Sequence, residues 1–314
     1  MKLLRLVPTE TNIKFLNFAK IALPISGLLV ILSLVLFFVL GLNLGIDFKG
    51  GTLIQVQTKN EQADIKSLRA SFGKLGLGEV QIQEFGSDNE VLIRIEEQAG
   101  GEEAQQAVIQ KVRDALGDTV TYRRTEVVGP TVSGELARDG AIAVLATIFA
   151  ILLYIWFRFE WQFAVGAVAA LVHDVALTIG MFCILRLQFD LSIIAALLTI
   201  VGYSLNDTVV VYDRVRENLR KYKRMSIKDL LNLSINDTLS RTVLTSVTTL
   251  LALFSLYIFG GEVLRGFVFA MIWGVFIGTY SSIAIAAPLL QMLGVKRDWS
   301  NADPGAAVEA PKGA

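Results

Sequence analysis

The stretch that decides the fold is residues 191–212, LSIIAALLTIVGYSLNDTVVVY. It is long enough to cross a lipid bilayer as a helix, which takes about 20 predominantly apolar residues. It nevertheless contains an acidic side chain, Asp207. An ionisable residue inside a membrane span is energetically expensive, so it is a functional candidate by default. The stretch therefore predicts a transmembrane helix whose carboxylate has a function inside the membrane.

Five further stretches have a similar length and apolar character. The whole chain is 53% apolar and 18% charged, with a mean hydropathy of +0.55, whereas soluble proteins are about 45–50% apolar and about 25% charged. We therefore predict a polytopic α-helical membrane protein. Its six transmembrane helices are expected at residues 21–44, 137–157, 161–185, 191–212, 242–260 and 266–294.

The residue counts exclude several classes of protein. The 29 basic residues are balanced by 29 acidic ones, so the chain lacks the basic surplus that is typical of nucleic-acid binders, and we expect no nucleic-acid partner. A single cysteine, Cys183, excludes an intrachain disulfide, and a single histidine, His173, excludes a multi-histidine metal site. We expect no metal and no cofactor.

The basic residues predict the orientation. Sixteen Lys and Arg residues fall in the terminal segments and short loops on one side of the membrane, and two fall on the other. Such an excess marks the cytoplasmic side, so residues 1–20 and a disordered Ala/Pro/Gly-rich tail at 296–314 are expected there. The first helix lacks a cleavage site and is interpreted as a retained signal anchor. The basic run 214–241 is interpreted as a topology signal, with contact to anionic lipid of the bilayer as the alternative.

Residues 45–135 differ from the rest and predict a domain on the far side of the membrane. Alternating and helical apolar spacings follow each other in the order β-α-β-β-α-β, which is the ferredoxin-like pattern. The elements are expected at 52–58, 62–74, 80–85, 91–95, 102–116 and 120–128, with a turn at 86–89. The segment offers no nucleophile–base pair, metal set or phosphate loop, so we expect it to bind or push a partner and the protein not to be an enzyme.

Two glycine-rich junctions connect this domain to the helices. The first contains Gly45, Asp47, Gly50 and Gly51, and the second contains Gly129 and Pro130. Glycine permits tight backbone paths and proline fixes a turn. The junctions are therefore either flexible tethers or defined elements that couple movement of the domain to movement of the helices.

Polar groups inside the predicted helices form the candidate site. They are Asp207, Asp174 with its neighbour His173, and Arg241, which we place at the start of helix five with a side chain that reaches towards Asp207. Burial favours the neutral form of a carboxyl group and a nearby guanidinium favours the charged form, so such a group can gain and lose a proton. The alternative is an ion pair that only specifies packing. A supporting polar stripe contains Asn206, Tyr203, Thr199 and Thr245.

Several segments resemble the SecF branch of the SecD/SecF family of protein-export membrane proteins, which belongs to the resistance-nodulation-division superfamily. They are GIDFKGG at 45–51, VGP at 128–130, VGYSLNDTVVVYDRVREN at 201–218, SRTVLTS at 240–246 and HDV at 173–175. The resemblance covers about residues 15–295, and the segment around Asp207 is highly specific. Lys49 departs from the family, in which a small or hydroxyl residue is common at this place.

The resemblance implies a bacterial inner-membrane subunit whose domain is periplasmic. It implies SecD as the partner that supplies six further helices, and the SecYEG channel and an exported unfolded polypeptide as further partners. It also implies use of the proton-motive force in late steps of translocation, after SecA has pushed the polypeptide through the channel. Asp207 and Arg241 map onto the polar cluster at the SecD–SecF interface.

Three other functions remain open from the residues. A proton-coupled exporter of small molecules, or half of one, would be expected to have larger extramembrane domains. An intramembrane enzyme would be expected to carry a motif such as H-E-x-x-H or G-x-S-x-G, and neither occurs; the pair His173 and Asp174, with no nucleophile beside it in the sequence, is insufficient. A passive scaffold would tolerate replacement of Asp207 by Asn.

Overall fold

The structure is a computed structural model that describes residues 11–59, 62–78, 80–98 and 100–295. The predicted disordered tail at 296–314 and residues 1–10 of the predicted N-terminal segment lie outside these ranges. The helices are α1 (Phe15–Leu40), α2 (Ile46–Lys49), α3 (Ile65–Phe72), α4 (Gly101–Leu116), α5 (Pro130–Arg158), α6 (Trp161–Leu185), α7 (Leu191–Lys221), α8 (Ile227–Phe259), α9 (Glu262–Ser281) and α10 (Ala287–Met292). The strands are β1 (Asn43–Leu44), β2 (Gly51–Thr58), β3 (Val80–Phe85), β4 (Ser87–Ile95), β5 (Val120–Val128) and β6 (Gln188–Phe189).

Among the residues that the structure describes, six helices are long and apolar enough to cross a membrane, as the sequence predicts. They are α1, α5, α6, α7, α8, and α9 with its continuation through a π-helical turn, Ser282–Ala286, into α10. The apolar segments of α6, α7 and α9 are about half buried, whereas those of α1, α5 and α8 lie mostly on the outside of the bundle. The molecule is therefore a three-helix centre with three peripheral helices.

Small residues allow the central helices to approach each other closely. A Cβ atom at Gly274 of α9 would collide with the side chain of Ile200 in α7, and one at Gly278 would lie 3.0 Å from the Cβ of Ser204. Because lipid provides no hydrophobic force between helices, close van der Waals packing at small residues holds a membrane bundle together. This contact aligns the polar residues of α7 with the end of α9.

Several helix limits differ from the prediction. Helix α7 continues past residue 212 to Lys221, and α8 begins at Ile227 instead of 242. Their extensions pack together through Val215, Leu230 and Ile235, which are buried in one cluster. The expectation that Arg241 starts its helix is therefore wrong, because a charged residue limits a membrane span but does not end a helix.

The other limits shift by a few residues. Helix α1 covers Phe15–Leu40 instead of 21–44, and α5 begins at Pro130 instead of 137 because proline is favoured in the first turn of a helix. In the domain, the predicted turn at 86–89 is confined to Gly86, whose φ of 83° permits a tight reversal, and β4 starts at Ser87.

The α/β segment follows the element order β2-α3-β3-β4-α4-β5. Its four strands form one antiparallel sheet in the order β3-β4-β2-β5. Alternating residues of the strands pack with apolar residues of α3 and α4, so that Ile54, Val56, Ile93, Phe72 and Val112 form a buried core. The segment is thus a separate two-layer unit with its own core.

The first junction is attached to the connection between α6 and α7. Strand β1 pairs in parallel with β6, and the amide of Gly45 donates to the carbonyl of Phe189 at 2.7 Å. The carboxylate of Asp47 accepts from the amide of Leu191, the first residue of α7, at 2.9 Å. The outer end of α7, which we define as the end beside the α/β segment, is therefore bonded to the start of that segment.

We predict that Gly51→Ala loosens this junction. Gly51 has a φ of 116°, and a Cβ atom there would collide with the carbonyl oxygen of Ile95 in the neighbouring strand. Strain of this kind costs about 1–3 kcal/mol, so hydrogen exchange should show reduced protection of the β2 and β4 amides. Gly129→Ala is the control, because Gly129 has an ordinary φ of −76° and, in the described part of the chain, no atom lies within 4 Å of a Cβ placed there. Equal protection in both variants would contradict the prediction.

Candidate functional site

Asp207 lies inside the bundle, on the inner face of α7, and is buried. Its carboxylate accepts a hydrogen bond from the hydroxyl of Thr242 in α8 at 2.9 Å. It accepts a second from the hydroxyl of Ser282, the first residue of the π-helical turn, at 3.1 Å. Among the described residues, no Lys, Arg or His nitrogen lies within 4.0 Å of this carboxylate. It is held by hydroxyl groups alone.

Asp174 is completely buried in α6 and has three polar partners. The hydroxyls of Ser204 and Ser281 donate to one carboxylate oxygen at 2.5 and 2.7 Å. The Nδ1 atom of His173 lies 2.9 Å from the other oxygen. The Nε2 atom of His173 is buried and has no hydrogen-bond partner among the described residues. Asp174 is therefore the centre of a dense polar cluster.

One short segment connects the two carboxylates. Ser281 ends α9 and donates to Asp174, and Ser282 begins the π-helical turn and donates to Asp207. Helix α7 also contributes to both, because Ser204 lies three residues before Asp207 on the same face. Single π-helical turns are rare and occur frequently at functional sites. The two acidic groups thus belong to one network that includes α6, α7, α8 and α9.

The network extends towards α1 through an aromatic pair. The rings of His173 and Tyr280 have centroids 6.0 Å apart, and the hydroxyl of Tyr280 lies 2.9 Å from that of Ser26 in α1. His173 therefore stands between the buried carboxylate and a partly exposed tyrosine of α9 that contacts the peripheral helix α1.

Arg241 does not form the predicted contact with Asp207. It precedes Thr242, whose hydroxyl faces Asp207, and adjacent residues on a helix point about 100° apart. The side chain of Arg241 is accordingly exposed. The described residues contain no carboxylate within 4.0 Å of its guanidinium.

The predicted polar stripe faces outward. Thr199 and Asn206 of α7 and Thr245 of α8 are exposed, and the hydroxyl of the half-buried Tyr203 lies 3.4 Å from that of Ser246. Helix α7 therefore has two polar faces, one towards Asp174 and one away from the bundle. Sequence reasoning missed the hydroxyl groups that hold the carboxylates. Ser204 could have been found from its spacing of three residues from Asp207.

The comparisons with known proteins identify the family. The model described as "Protein export membrane protein SecD/SecF, C-terminal" matches residues 108–296, and the "SecD/SecF GG Motif" matches residues 35–62. The chain belongs to the SecD/SecF family. The second match contains the first junction, with Gly50 and Gly51, and the first match contains both buried carboxylates and the side chains that bond to them.

Relatives of this family match almost the entire chain. The protein translocase subunit SecF of Rhodobacter capsulatus is 49% identical over 96% of this chain and 95% of its own length. The protein translocase subunit SecDF of Brucella abortus is 44% identical over 98% of this chain, which spans only 40% of that protein. In such SecDF proteins, a SecF-like part is joined to a longer remainder. This arrangement implies association of the SecF part with SecD.

A solved structure has the same fold. The crystal structure of SecDF from Thermus thermophilus matches with a TM-score of 0.82 and 37% identity, covering 92% of this chain and 39% of that one. A SecDF structure in the Super-membrane-facing form matches with a TM-score of 0.68 at 38% identity. The chain is therefore a multi-pass membrane protein that spans about two-fifths of these SecDF chains. Its relatives carry the names of translocase subunits, not of enzymes.

We predict that Ser281→Ala and Ser282→Ala each destabilise the bundle. Each removes a buried donor to a carboxylate, and loss of such a bond costs about 1–3 kcal/mol. The free energy of unfolding in detergent should fall accordingly. Ser255→Ala is the matched control, because Ser255 is exposed on α8. If the two variants unfold like Ser255→Ala, the network does not contribute to stability.

Proposed function

We propose that this chain is the SecF subunit of an accessory complex of the Sec translocase in the bacterial inner membrane. Together with SecD, it uses the proton-motive force to promote late steps of polypeptide export through SecYEG. The single observation that carries the proposal is the pair of buried carboxylates, Asp174 and Asp207, bonded to one segment by hydroxyl groups. Ionisable groups at such places in transporters are typical of proton relays.

The geometry supports a proton-dependent change of partners. Each serine of the connecting segment has a second acceptor in its own helix: Ser281 lies 3.2 Å from the carbonyl of Gly278, and Ser282 lies 3.0 Å from that of Thr279. A protonated carboxyl group accepts a hydrogen bond less strongly than a carboxylate. Protonation of Asp207 would therefore release Ser282 to its own helix and weaken the contact of α7 with α8 and α9.

The first junction offers a route from this change to the domain. Helix α7 carries Asp207, and its outer end is bonded to Asp47 of the junction. A shift of α7 along or around its axis would therefore move β1 and the start of β2. In this proposal the first junction couples α7 to the start of the domain through Gly45, Asp47, Gly50 and Gly51. The second junction connects the end of the domain, strand β5, to α5 through Gly129 and Pro130.

The domain is proposed to be ferredoxin-like and periplasmic, with both termini of the chain in the cytoplasm. The element order β-α-β-β-α-β and the strand order β3-β4-β2-β5 support a ferredoxin-like domain. The excess of Lys and Arg in the loops and termini on the opposite side of the membrane supports a periplasmic domain and cytoplasmic termini. The domain would then lie where an exported polypeptide leaves the channel.

The outward polar faces of α7 and α8 are proposed as the surface that SecD covers. Thr199, Gly202 and Asn206 on α7 and Arg241 and Thr245 on α8 are exposed within apolar helices. Polar and charged groups are costly against lipid and almost always face a protein interior or a water-filled cavity. The SecDF relatives support SecD as the partner, and they favour a translocase subunit over an exporter of small molecules.

Asp207→Asn tests the proton mechanism. In membrane vesicles that contain SecYEG, SecA, SecD and this subunit, the variant should abolish the stimulation of preprotein export by the proton-motive force and retain ATP-driven export. Asn keeps the size of the side chain but cannot exchange a proton. The control is Asp139→Asn, which removes an exposed carboxylate of α5. If the proton-motive force still stimulated export fully with Asp207→Asn, the proton mechanism would be contradicted and the subunit would be a passive scaffold.

Gly202→Leu tests the partner surface. No atom of the described residues outside the immediate helix backbone lies within 4 Å of a Cβ at Gly202 or at Gly27 of α1, so the described part of the subunit fills neither site. We expect Gly202→Leu to reduce co-purification of SecD by about tenfold or more, because close helix contacts need small residues. The thermal stability of this chain purified without SecD should stay unchanged. Gly27→Leu should retain SecD. Equal recovery of SecD with both variants would show that SecD does not bind this face of α7.

A further inference from the structure

A basic pocket lies at the end of the bundle opposite the α/β segment. It has a volume of about 500 Å³ and is lined by Arg158 at the end of α5 and by residues of the charged extension of α7, namely Asp213, Arg216, Glu217, Arg220 and Lys221. The proposed proton mechanism uses none of these residues. The pocket exists because α7 continues beyond the predicted membrane span alongside the last turn of α5.

The pocket has a surplus of positive charge. Arg158 and Arg216 share one carboxylate, Asp213, at 3.0 and 3.7 Å. Glu217 is already bonded to Arg214, which does not line the pocket, at 2.7 Å. Within the part of the chain that the structure describes, neither Arg220 nor Lys221 has a carboxylate within 4.0 Å. The pocket can therefore accept an anion without first breaking an ion pair.

Two of the guanidinium groups are held in place by an aromatic ring. The central carbon atoms of Arg158 and Arg216 lie 5.0 and 5.3 Å from the ring centroid of Phe159. Phe159 is itself buried against Phe163 and Tyr212. A guanidinium that is already ordered loses less conformational entropy when it binds an anion, and its planar donors match phosphate oxygens.

The pocket adjoins an exposed aromatic surface at the end of α5. Trp156 and Phe157, in the last turn of α5 beside Arg158, are 69% and 81% exposed. Aromatic side chains at the end of a membrane helix are typical of the region of the lipid headgroups. A ligand with a phosphate in the pocket could therefore lay its acyl chains along α5.

We propose that this pocket is a binding site for the phosphate headgroup of an anionic phospholipid. Basic pockets between membrane helices on the cytoplasmic side bind such headgroups. A topology signal needs only the number of basic residues, whereas here four of them, Arg158, Arg216, Arg220 and Lys221, converge on one cavity beside an exposed aromatic pair. The same phosphate chemistry could come from free phosphate, which the experiment distinguishes. The proposal requires that the helices span a membrane and is independent of proton use by Asp207.

The test compares two variants that each lose one Arg and one Lys. Arg220→Gln with Lys221→Gln removes the two pocket charges that have no carboxylate partner among the described residues, and Arg224→Gln with Lys228→Gln removes exposed charges from the following segment. All four side chains are exposed, so both variants should fold. The full chain, co-purified with SecD and depleted of lipid, is titrated with cardiolipin or phosphatidylglycerol. Binding is followed by native mass spectrometry.

We expect the pocket variant to bind both anionic lipids about 10- to 30-fold more weakly, since each basic residue near a membrane surface contributes about 1 kcal/mol. The control variant should bind like the unchanged chain, and phosphatidylcholine should bind weakly to all three. An equal loss of lipid binding in both variants would show that the lipid responds to surface charge in general and not to the pocket, and would overturn the proposal. Displacement of the lipid by equimolar inorganic phosphate would overturn it as well, in favour of a site for a free anion.

Discussion

The structure depends on the hydrogen bonds that satisfy two carboxylates inside a bundle of apolar helices. Asp174 and Asp207 accept these bonds mainly from hydroxyl groups, and the neighbouring Ser281 and Ser282 supply one bond to each. A buried carboxylate without donors would cost several kcal/mol. The helices that provide the donors are therefore constrained in register and rotation. The close contact of Gly278 with Ser204 is the packing that makes this constraint possible.

Helix α7 connects every feature to which we assign a function. Its outer end is bonded to Asp47 of the first junction, and its middle carries Ser204 and Asp207. Its charged extension lines the basic pocket at the other end. A single rigid helix that contacts the domain, the polar network and the lipid boundary can transmit a local change at one point to the others. Helix α7 packs against α8, α9 and the π-helical turn. Because Ser282 of that turn donates to Asp207, the turn lies where the proposed change would begin.

Much of the architecture could be predicted from residue patterns. Uninterrupted apolar stretches locate the six membrane helices, because the thickness of a bilayer sets their length. The order of the domain elements follows from apolar spacing, since helices and strands repeat with different periods. Asp207 and Asp174 could also be recognised from the sequence, because a charged residue is rare within an apolar membrane span. The helix limits at 212 and 242 were less accurate, because charged residues form helices as readily outside the membrane as apolar residues do inside it.

The sequence by itself determined which groups are polar inside the membrane, and only the tertiary structure decided which of them meet. Arg241 and Thr242 are neighbours in the chain, yet one is exposed and the other bonds to Asp207. Thr199 and Asn206 share a helix with Ser204 but face away from the network. Apolar content depends on composition and can be counted along the chain. A hydrogen bond between helices depends on their relative rotation, which arises from packing between residues far apart in sequence.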